Sequence, residues 1–278
     1  MRQATVAIIM TARNAQRCVG DAIRSVQSQT LADWRLIVVD DGSTDATRAV
    51  VASFADPRIE LVATPGCGRP RALNRALAHA AGARWFANLD ADDVMHPQKL
   101  ELQTEFLRHH PEFALVATNV QLFFDDELPT WTMVVGTDLP YTEIGTSIVY
   151  RNPIGHSSVM ANLARVDALG GYDAGRRSQI DYELWLRMRA AGCRMALLDA
   201  CLGGKRIHSG QSFENKHRMR YLTSRLQLQL TAVRRSSLPF YYSAYVLAGF
   251  AFGLLPQRLR MEVRSNRPTA RSARATST

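Results

Sequence analysis

The chain has 278 residues, 46% of them apolar, and a net charge of +9. Residues 1–204 carry 20 basic and 23 acidic side chains, residues 205–235 carry 8 and 1, and residues 257–278 carry 6 and 1. That length fits one large domain, alone or with an appendage. A slightly acidic body with a basic C-terminal part fits a tail on an anionic lipid surface, and no nucleic-acid motif accompanies it to make nucleic acid the partner.

In chain order, a strand is predicted over 5–10, leaving no room for a signal peptide before it. Residues 19–29 have helical spacing, with Val19, Ala22, Ile23 and Val26 on one face. A strand over 35–39, a helix over 44–54, a strand over 59–63, a helix over 71–81 and a strand over 85–89 follow. A helix over 97–110 has Pro97 near its start, where a missing N–H does no harm, and a strand over 113–118 comes next. This β-α-β-α order predicts an α/β fold with a mostly parallel, Rossmann-like sheet flanked by helices on both faces. Residues 121–160 read as irregular strands and loops. Beyond them the pattern gives a short helix over 163–169, a helix over 181–191 closed by Gly192, a strand over 194–198 and a long helix over 213–234. The apolar stretch between Pro239 and Pro256 is 16 residues long, short of the roughly 20 that a spanning helix needs. With Arg234, Arg235, Arg258 and Arg260 at its flanks it reads as an interfacial or re-entrant helix, with a packing helix and a short span as alternatives. Residues 266–278 are predicted to be a disordered tail. Cys18, Cys67, Cys193 and Cys201 form no CxxC pair, which fits a reducing compartment.

Two acidic clusters each follow an apolar run: Asp40-Asp41-Gly42-Ser43-Thr44-Asp45 after Leu36-Ile37-Val38-Val39, and Asn88-Leu89-Asp90-Ala91-Asp92-Asp93 after Trp85-Phe86-Ala87. Ligands of open α/β sheets bind where strands end at their carboxyl edges. Several carboxylates around one crevice are costly unless a cation or hydrogen-bond donors join them, which points to a divalent metal carrying a phosphorylated ligand. At the first cluster Gly42 permits a turn with positive φ. A carboxylate there can accept the imide N–H of a pyrimidine such as uracil; the plain alternative is a turn with Ser43 or Thr44 capping the next helix. At the second, Asp90 and Asp92 can share one Mg²⁺ or Mn²⁺ and leave positions for phosphate oxygens; the alternative is a solvated loop with Asp93 as a cap.

These segments resemble the inverting glycosyltransferases of family 2, with the GT-A fold. The resemblance is carried, in family order over about residues 4–212, by Val6-Ala7-Ile8-Ile9-Met10-Thr11-Ala12-Arg13-Asn14, Ser25-Val26-Gln27-Ser28-Gln29-Thr30, the two acidic clusters, Ala72-Leu73-Asn74, Gly155-His156-Ser157-Ser158-Val159-Met160 and Ile180-Asp181-Tyr182-Glu183-Leu184-Trp185-Leu186-Arg187. It implies a GT-A domain over 1–212, with a nucleotide-binding part over 1–120 and an acceptor-side part over 121–212, followed by a basic helical C-terminal extension over 213–265. It implies that Thr11, Arg13 and Asp41 line the nucleoside pocket, that Arg71 and Asn74 lie near the ribose and phosphates, and that Asp90 approaches the ribose or the metal. Asp92 and the late His208 would hold Mn²⁺ or Mg²⁺. Asp181 would be the general base that takes the acceptor hydroxyl's proton.

The chemistry agrees with those roles. A sugar nucleotide leaves poorly until its diphosphate charge is neutralised, and inversion needs one base on the acceptor side. Simpler readings stay open: Asp181 as an N-cap, His208 as a surface histidine, and His156 as a strand-edge histidine that satisfies backbone groups. The sequence also departs from the family pattern. Arg13 stands where an aromatic usually stacks on the base, and Ile180 replaces the acidic residue that commonly precedes the base. The Gln-x-x-Arg-Trp motif of processive synthases is missing, which argues for one sugar per encounter. The expected enzyme transfers a sugar from a nucleotide-sugar donor, UDP-linked, to a hydroxyl of a glycan or lipid-linked acceptor. It would work in the cytoplasm, peripheral on the inner face of the cell membrane. A non-catalytic sugar-binding module and a nucleotidyltransferase are the rivals; the latter would want a Gly-rich, Lys-bearing loop after the first strand, which Thr11-Ala12-Arg13-Asn14-Ala15 does not supply. No GxGxxG follows Met10 to suggest a dehydrogenase.

Overall fold

The computed structural model describes residues 4–124, 127–207 and 218–255. Strands β1 (Val6–Ala12), β2 (Trp34–Asp41), β3 (Ile59–Thr64) and β4 (Trp85–Asn88) alternate with helices α1 (Val19–Gln27), α2 (Thr47–Ala52) and α3 (Arg69–His79). Then come β5 (Val94–Met95), α4 (Lys99–His109), β6 (Phe113–Phe124), β7 (Tyr141–Glu143), two 3-10 turns at Thr146–Val149 and His156–Ser158, β8 (Met160–Asn162), α5 (Leu163–Ala168), α6 (Ile180–Ala190) and β9 (Arg194–Ile207). Two further helices close the described chain, α7 (Arg218–Arg235) and α8 (Tyr241–Leu254).

Among the described residues nine strands form one sheet in the order β3-β2-β1-β4-β8-β6-β9-β5, with β7 added on β9. From β3 to β4 every pairing is parallel. Beyond β4 the sheet is mixed: β8 runs antiparallel to both β4 and β6, β6 and β9 are parallel, and β5 and β7 are antiparallel to β9. The parallel half needs helical crossovers and gets them; the short β8 is reached by loops and is free to run the other way.

Side chains alternate across each central strand and so build two cores. Ala7, Ile9, Ile37 and Val39 face one way and join Leu73, Leu77, Trp185, Met188, Val233 and Val246. Val6, Ile8, Met10, Leu36 and Val38 face the other way and join Val19, Ile23, Val26, Leu100 and Phe106. Strands buried on both faces read as continuous apolar runs, which is why β1 and β2 do. Val233 of α7 and Val246 of α8 share the first core, so the basic C-terminal helices pack onto the body rather than stand apart.

β1 lies between β2 and β4, and the chain order reverses there. This is the topological switch point, where the carboxyl ends of three parallel strands open a crevice. Thr11, Asp41 and Asn88 stand at those ends.

Candidate active site

The end of β2 carries two buried carboxylates with different partners. Asp40 accepts from the Ser43 N–H at 3.3 Å and from Arg48 Nε. Asp41 accepts from the N–H groups of Cys67 (2.7 Å) and Gly68 (3.0 Å) and from Thr64 Oγ1 (2.9 Å). Burial pushes the Asp41 carboxyl up, but these bonds outweigh it and hold it below its ordinary value. Asp41 therefore pins the 64–68 loop that leads into α3. The loop and the β2 turn touch: Gly42 has φ +75°, and a Cβ there would sit 2.9 Å from the Gly66 nitrogen. Neither Ser43 nor Thr44 caps α2. Ser43 Oγ accepts from the Asn14 N–H, Asn14 Oδ1 accepts from the Thr44 N–H, and Asp45 Oδ1 accepts from the Thr47 N–H at 3.0 Å. This lattice ties the β1 end to the β2 end, with Thr11 half-buried and Arg13 exposed beside it.

After β4, one carboxylate oxygen from each of Asp90, Asp92 and Asp93 lies within 4.8 Å of the others. Asp90 Oδ1 accepts from Arg69 Nη2 at 2.6 Å and Asn88 Nδ2 at 3.1 Å, and lies 3.4 Å from His156 Nδ1. Burial pushes Asp90 up, yet Arg69, His156 and Asn88 outweigh it and hold the carboxyl well below the usual range. Asp93 is the buried member. Its oxygens accept from Ser157 Oγ at 2.6 Å and from the Arg206 N–H at 3.1 Å. Burial first, and then the charges of Asp90 and Asp92, push it up to about 7. Asp93 does not cap α4, whose N-cap is Gln98. Beneath the cluster, fully buried Lys99 donates to the Ser157 carbonyl, and burial brings its amine down to about 7 against the pull of Asp93 and Asp90.

The acid loop is strapped from β9. Arg206 is buried and donates from Nε to the Asp92 carbonyl at 3.1 Å and from Nη2 to Asp21 of α1 at 2.7 Å. The donor set of the cluster is all oxygen, the kind that suits Mg²⁺ and Mn²⁺. Half-buried Asp90 and Asp92 form its open side. A further oxygen, Asn88 Oδ1, is buried without a partner in the side chain that already bonds Asp90. These residues fit a hard divalent cation.

His156 is not the backbone-satisfying histidine that its strand-edge position suggests. Its Nδ1 faces Arg69 Nη2 and Asn88 Nδ2, both at 3.1 Å, and its Nε2 lies 2.9 Å from Tyr172 Oη. Nδ1 thus faces two obligate donors and, at 3.4 Å, an oxygen of Asp90, while Nε2 faces the phenol. The 3-10 turn at His156–Ser158 makes this possible: it aims His156 at Asp90 and Ser157 at Asp93. Tyr172 is held in turn by Asn74, whose amide donates to the Tyr172 carbonyl and accepts from its N–H, both at 2.7 Å. Asn74 thus bonds the Tyr172 backbone with both polar atoms of its side chain. Arg71 is exposed, with Nη1 3.4 Å from the Cys67 carbonyl, and it is Arg69, two residues earlier, that enters the acid cluster.

Asp181 lies in the first turn of α6, half-buried, two residues after the N-cap Gln179, so it is not the cap. Arg69 is held protonated by Asp90, against burial, and then by Asp181 and Asp92. Asp181 and the acid cluster thus both act electrostatically on the Arg69 guanidinium. His208 lies outside the described residues. Arg69, Tyr172 and Arg206 went unnoticed in the sequence. Their only local signals were Gly68-Arg69-Pro70, a glycine turn leading into a helix that Pro can begin, and the Arg206-Ile207-His208 run.

Comparison with known proteins gives this geometry its context. Residues 7–168 match the family model described as glycosyl transferase family 2. The chain is 29% identical to a Bacillus subtilis protein named as a glycosyltransferase, EpsE, over 257 residues, 90% of each chain. It is 43% identical over 103 residues to the Escherichia coli UDP-Glc:alpha-D-GlcNAc-diphosphoundecaprenol beta-1,3-glucosyltransferase WfgD, covering 37% of this chain and 40% of that one. The fold is similar to that of S. aureus TarS 1-349 in complex with UDP-GlcNAc, with a TM-score of 0.70 at 15% identity over 90% of this chain and 72% of that one. It is also similar to the mannosyltransferase PcManGT from Pyrobaculum calidifontis in complex with GDP-Man and Mn²⁺, with a TM-score of 0.66 at 18% identity over 95% and 74% of the two chains. Strand order, strand-end carboxylates and a family match over more than half the chain agree, and the protein belongs to glycosyl transferase family 2, an enzyme with the GT-A fold.

Proposed function

We propose that the enzyme transfers one sugar per encounter from a UDP-linked donor to a hydroxyl of a glycan or lipid-linked saccharide, with inversion. What supports this is the grouping of Asp90, Asp92 and Asp93 just beyond β4, beside an Arg69 whose guanidinium feels the charges of Asp90, Asp181 and Asp92. The uridine preference rests on the strand-end carboxylate Asp41 and on the UDP named for WfgD and TarS. Thr11, Arg13 and Asp41 line the nucleoside side. Arg71 lies toward the phosphates, and Asn74 acts by fixing Tyr172.

Asp92, with Asp90 and with His208 as a further ligand, would hold Mn²⁺ or Mg²⁺. When bound, such an ion neutralises diphosphate charge. Asp181 takes the proton of the acceptor hydroxyl as its oxygen bonds to the anomeric carbon. The bond from that carbon to the diphosphate oxygen breaks on the opposite face, and its electron pair leaves with the nucleoside diphosphate. Arg69 is bonded to Asp90 and feels the charge of Asp181. It keeps Asp90 ionised and offers donors to a phosphate.

The acceptor belongs to polysaccharide assembly, as the names of relatives suggest, and the enzyme meets it at an anionic membrane surface. No helix among the described residues is long and apolar enough to cross a membrane. On α8 and its flanks, however, Phe240, Tyr241, Tyr245, Leu247, Leu254 and Leu255 are exposed. A hydrolysis screen of UDP-, GDP- and dTDP-sugars with Mn²⁺ or Mg²⁺ tests the donor. UDP-sugars should be consumed fastest, and Asp92→Ala should lose about 100-fold or more. Preference for another base, or an unimpaired Asp92→Ala, would refute the assignment.

A further inference from the structure

A second site lies next to the helix that carries Asp181. A crevice of about 470 Å³ opens between residues 173–178 and the start of α7, lined by Arg176, Arg177, Arg220, Asp173, Ser178 and Ser224 among others. Arg176 is fixed in its wall, donating from Nη2 to Ser224 Oγ at 3.0 Å and from Nε to the Ser178 carbonyl at 3.4 Å. Arg177 and Arg220 are exposed and form no ion pair among the described residues. The one carboxylate in the lining, Asp173, already accepts from the Gly175 N–H at 2.9 Å. Asp173 offsets one of the three guanidinium charges, and the described lining stays net positive, which favours an added anion.

The location of the crevice narrows the choice of anion. Residue 172, just before it, is tied into the site by Asn74 and His156, and Asp181 follows three residues after its end. Its other wall, α7, is bound to the end of α8: Arg218 donates to the carbonyls of Gly253 and Leu255. Leu254 and Leu255 there are exposed. The crevice thus lies within three residues of the proposed base along one wall, and its other wall begins within one helical turn of the contact with an exposed apolar helix end. The geometry points to a binding site for the diphosphate that joins an acceptor sugar to its lipid, with the sugar hydroxyl toward Asp181 and the hydrocarbon toward α8. Arginine suits that ligand, because its planar fork pairs phosphate oxygens two at a time. The assignment rests on the transferase function proposed above.

The test uses the full chain in EDTA, with farnesyl diphosphate as the probe in titration calorimetry. Farnesyl diphosphate should bind, and inorganic pyrophosphate and farnesol should each bind at least tenfold more weakly. Arg177→Gln/Arg220→Gln should weaken farnesyl diphosphate by about tenfold or more, the loss of charge-assisted contacts at two positions. The same variant should bind UDP with Mn²⁺ as the wild type does and keep its melting temperature, because both side chains are exposed. Unchanged farnesyl diphosphate binding in the variant overturns the proposal, as does pyrophosphate binding as tightly as farnesyl diphosphate. It is also overturned if the variant keeps farnesyl diphosphate but loses partition onto phosphatidylglycerol vesicles, since the crevice would then serve membrane headgroups. Failure of the wild type to bind UDP with Mn²⁺ would instead strike the transferase assignment, which the metal-free arms do not probe.

Discussion

Asp181 and Lys99 are both charged groups set into the body, but they serve different ends. Asp181 sits half-buried in the first turn of α6. If it removes the acceptor proton, Asp181→Asn should lower kcat by roughly 100- to 10,000-fold and leave the Kd for UDP with Mn²⁺ unchanged. Product formation and UDP calorimetry, run side by side, check both halves, and full activity in the variant would remove Asp181 from the reaction. Lys99 touches no substrate. It is fully buried, and desolvation brings its amine from 10.5 to about 7, against the attraction of Asp93 and Asp90. Between those two values the unfolded chain binds a proton at this site that the native protein does not. Stability therefore rises with pH from about 7 to about 10.5, by at most about 1.4 kcal/mol per unit for one group, and falls again as pH drops toward 7. Urea melts at pH 7, 8 and 9 should show the rise, and Lys99→Met should flatten it. A wild-type slope of zero across that window would contradict the burial argument.

At the scale of elements, the site depends on how β9 holds the acid loop. The Arg206 side chain is 5% exposed and Asp21 is 17% exposed. Arg24 stays on the other oxygen of Asp21, so losing Arg206 leaves that carboxylate half-paired, at a cost of about 1–3 kcal/mol. Arg206→Met should destabilise the protein by about that amount and weaken Mn²⁺ binding, because the Asp92 carbonyl loses its donor. In an Asp21→Asn background the same change should cost clearly less, since no full charge is left behind, and a double-mutant cycle measures the difference. Equal costs in both backgrounds would mean that the strap is not an ion pair. The sequence made β9 legible only to Leu198, although it runs to Ile207. Its outer half pairs with β6 through bulges at Thr118 and Asn119 and includes Gly203 and Gly204, which break the apolar run that marks a buried strand. The inner strands were legible to within about two residues because burial on both faces writes an unbroken apolar signal. The strand-end carboxylates were legible for the same reason. The cross-chain partners were not: Arg69 meets Asp90, and Asn74 meets Tyr172, across 21 and 98 residues. No local pattern encodes a pairing of that range. The helix expected over 71–81 begins two residues earlier, at Arg69, with Pro70 in its first turn, where proline is harmless.

The whole molecule is electrically lopsided: an acidic body with 20 basic and 23 acidic residues, followed by 8 and 1 over residues 205–235 and 6 and 1 over 257–278. A bilayer with anionic headgroups repels the first and attracts the others, so charge alone would turn the C-terminal side toward the lipid. The apolar contribution comes from α8, whose inner side chain Val246 is in the core while Phe240 is 87% and Leu247 51% exposed. These two contributions respond to different perturbations. Removing residues 257–278 takes away six arginines, each worth on the order of 1 kcal/mol near an anionic surface. It should lower partition onto phosphatidylglycerol vesicles by at least about tenfold in low salt and by much less in 0.5 M salt, where screening has already removed that attraction. Phe240→Glu/Leu247→Glu should lower partition in both salts, because apolar insertion is not screened. Phe240 and Leu247 are exposed, so the double variant should keep its melting temperature. Vesicle sedimentation of the wild type and both variants, with phosphatidylcholine vesicles as the uncharged control, separates the two effects. If all three proteins partition alike, or the wild type binds phosphatidylcholine as well as phosphatidylglycerol, then neither the arginines nor the exposed face of α8 acts as a membrane contact.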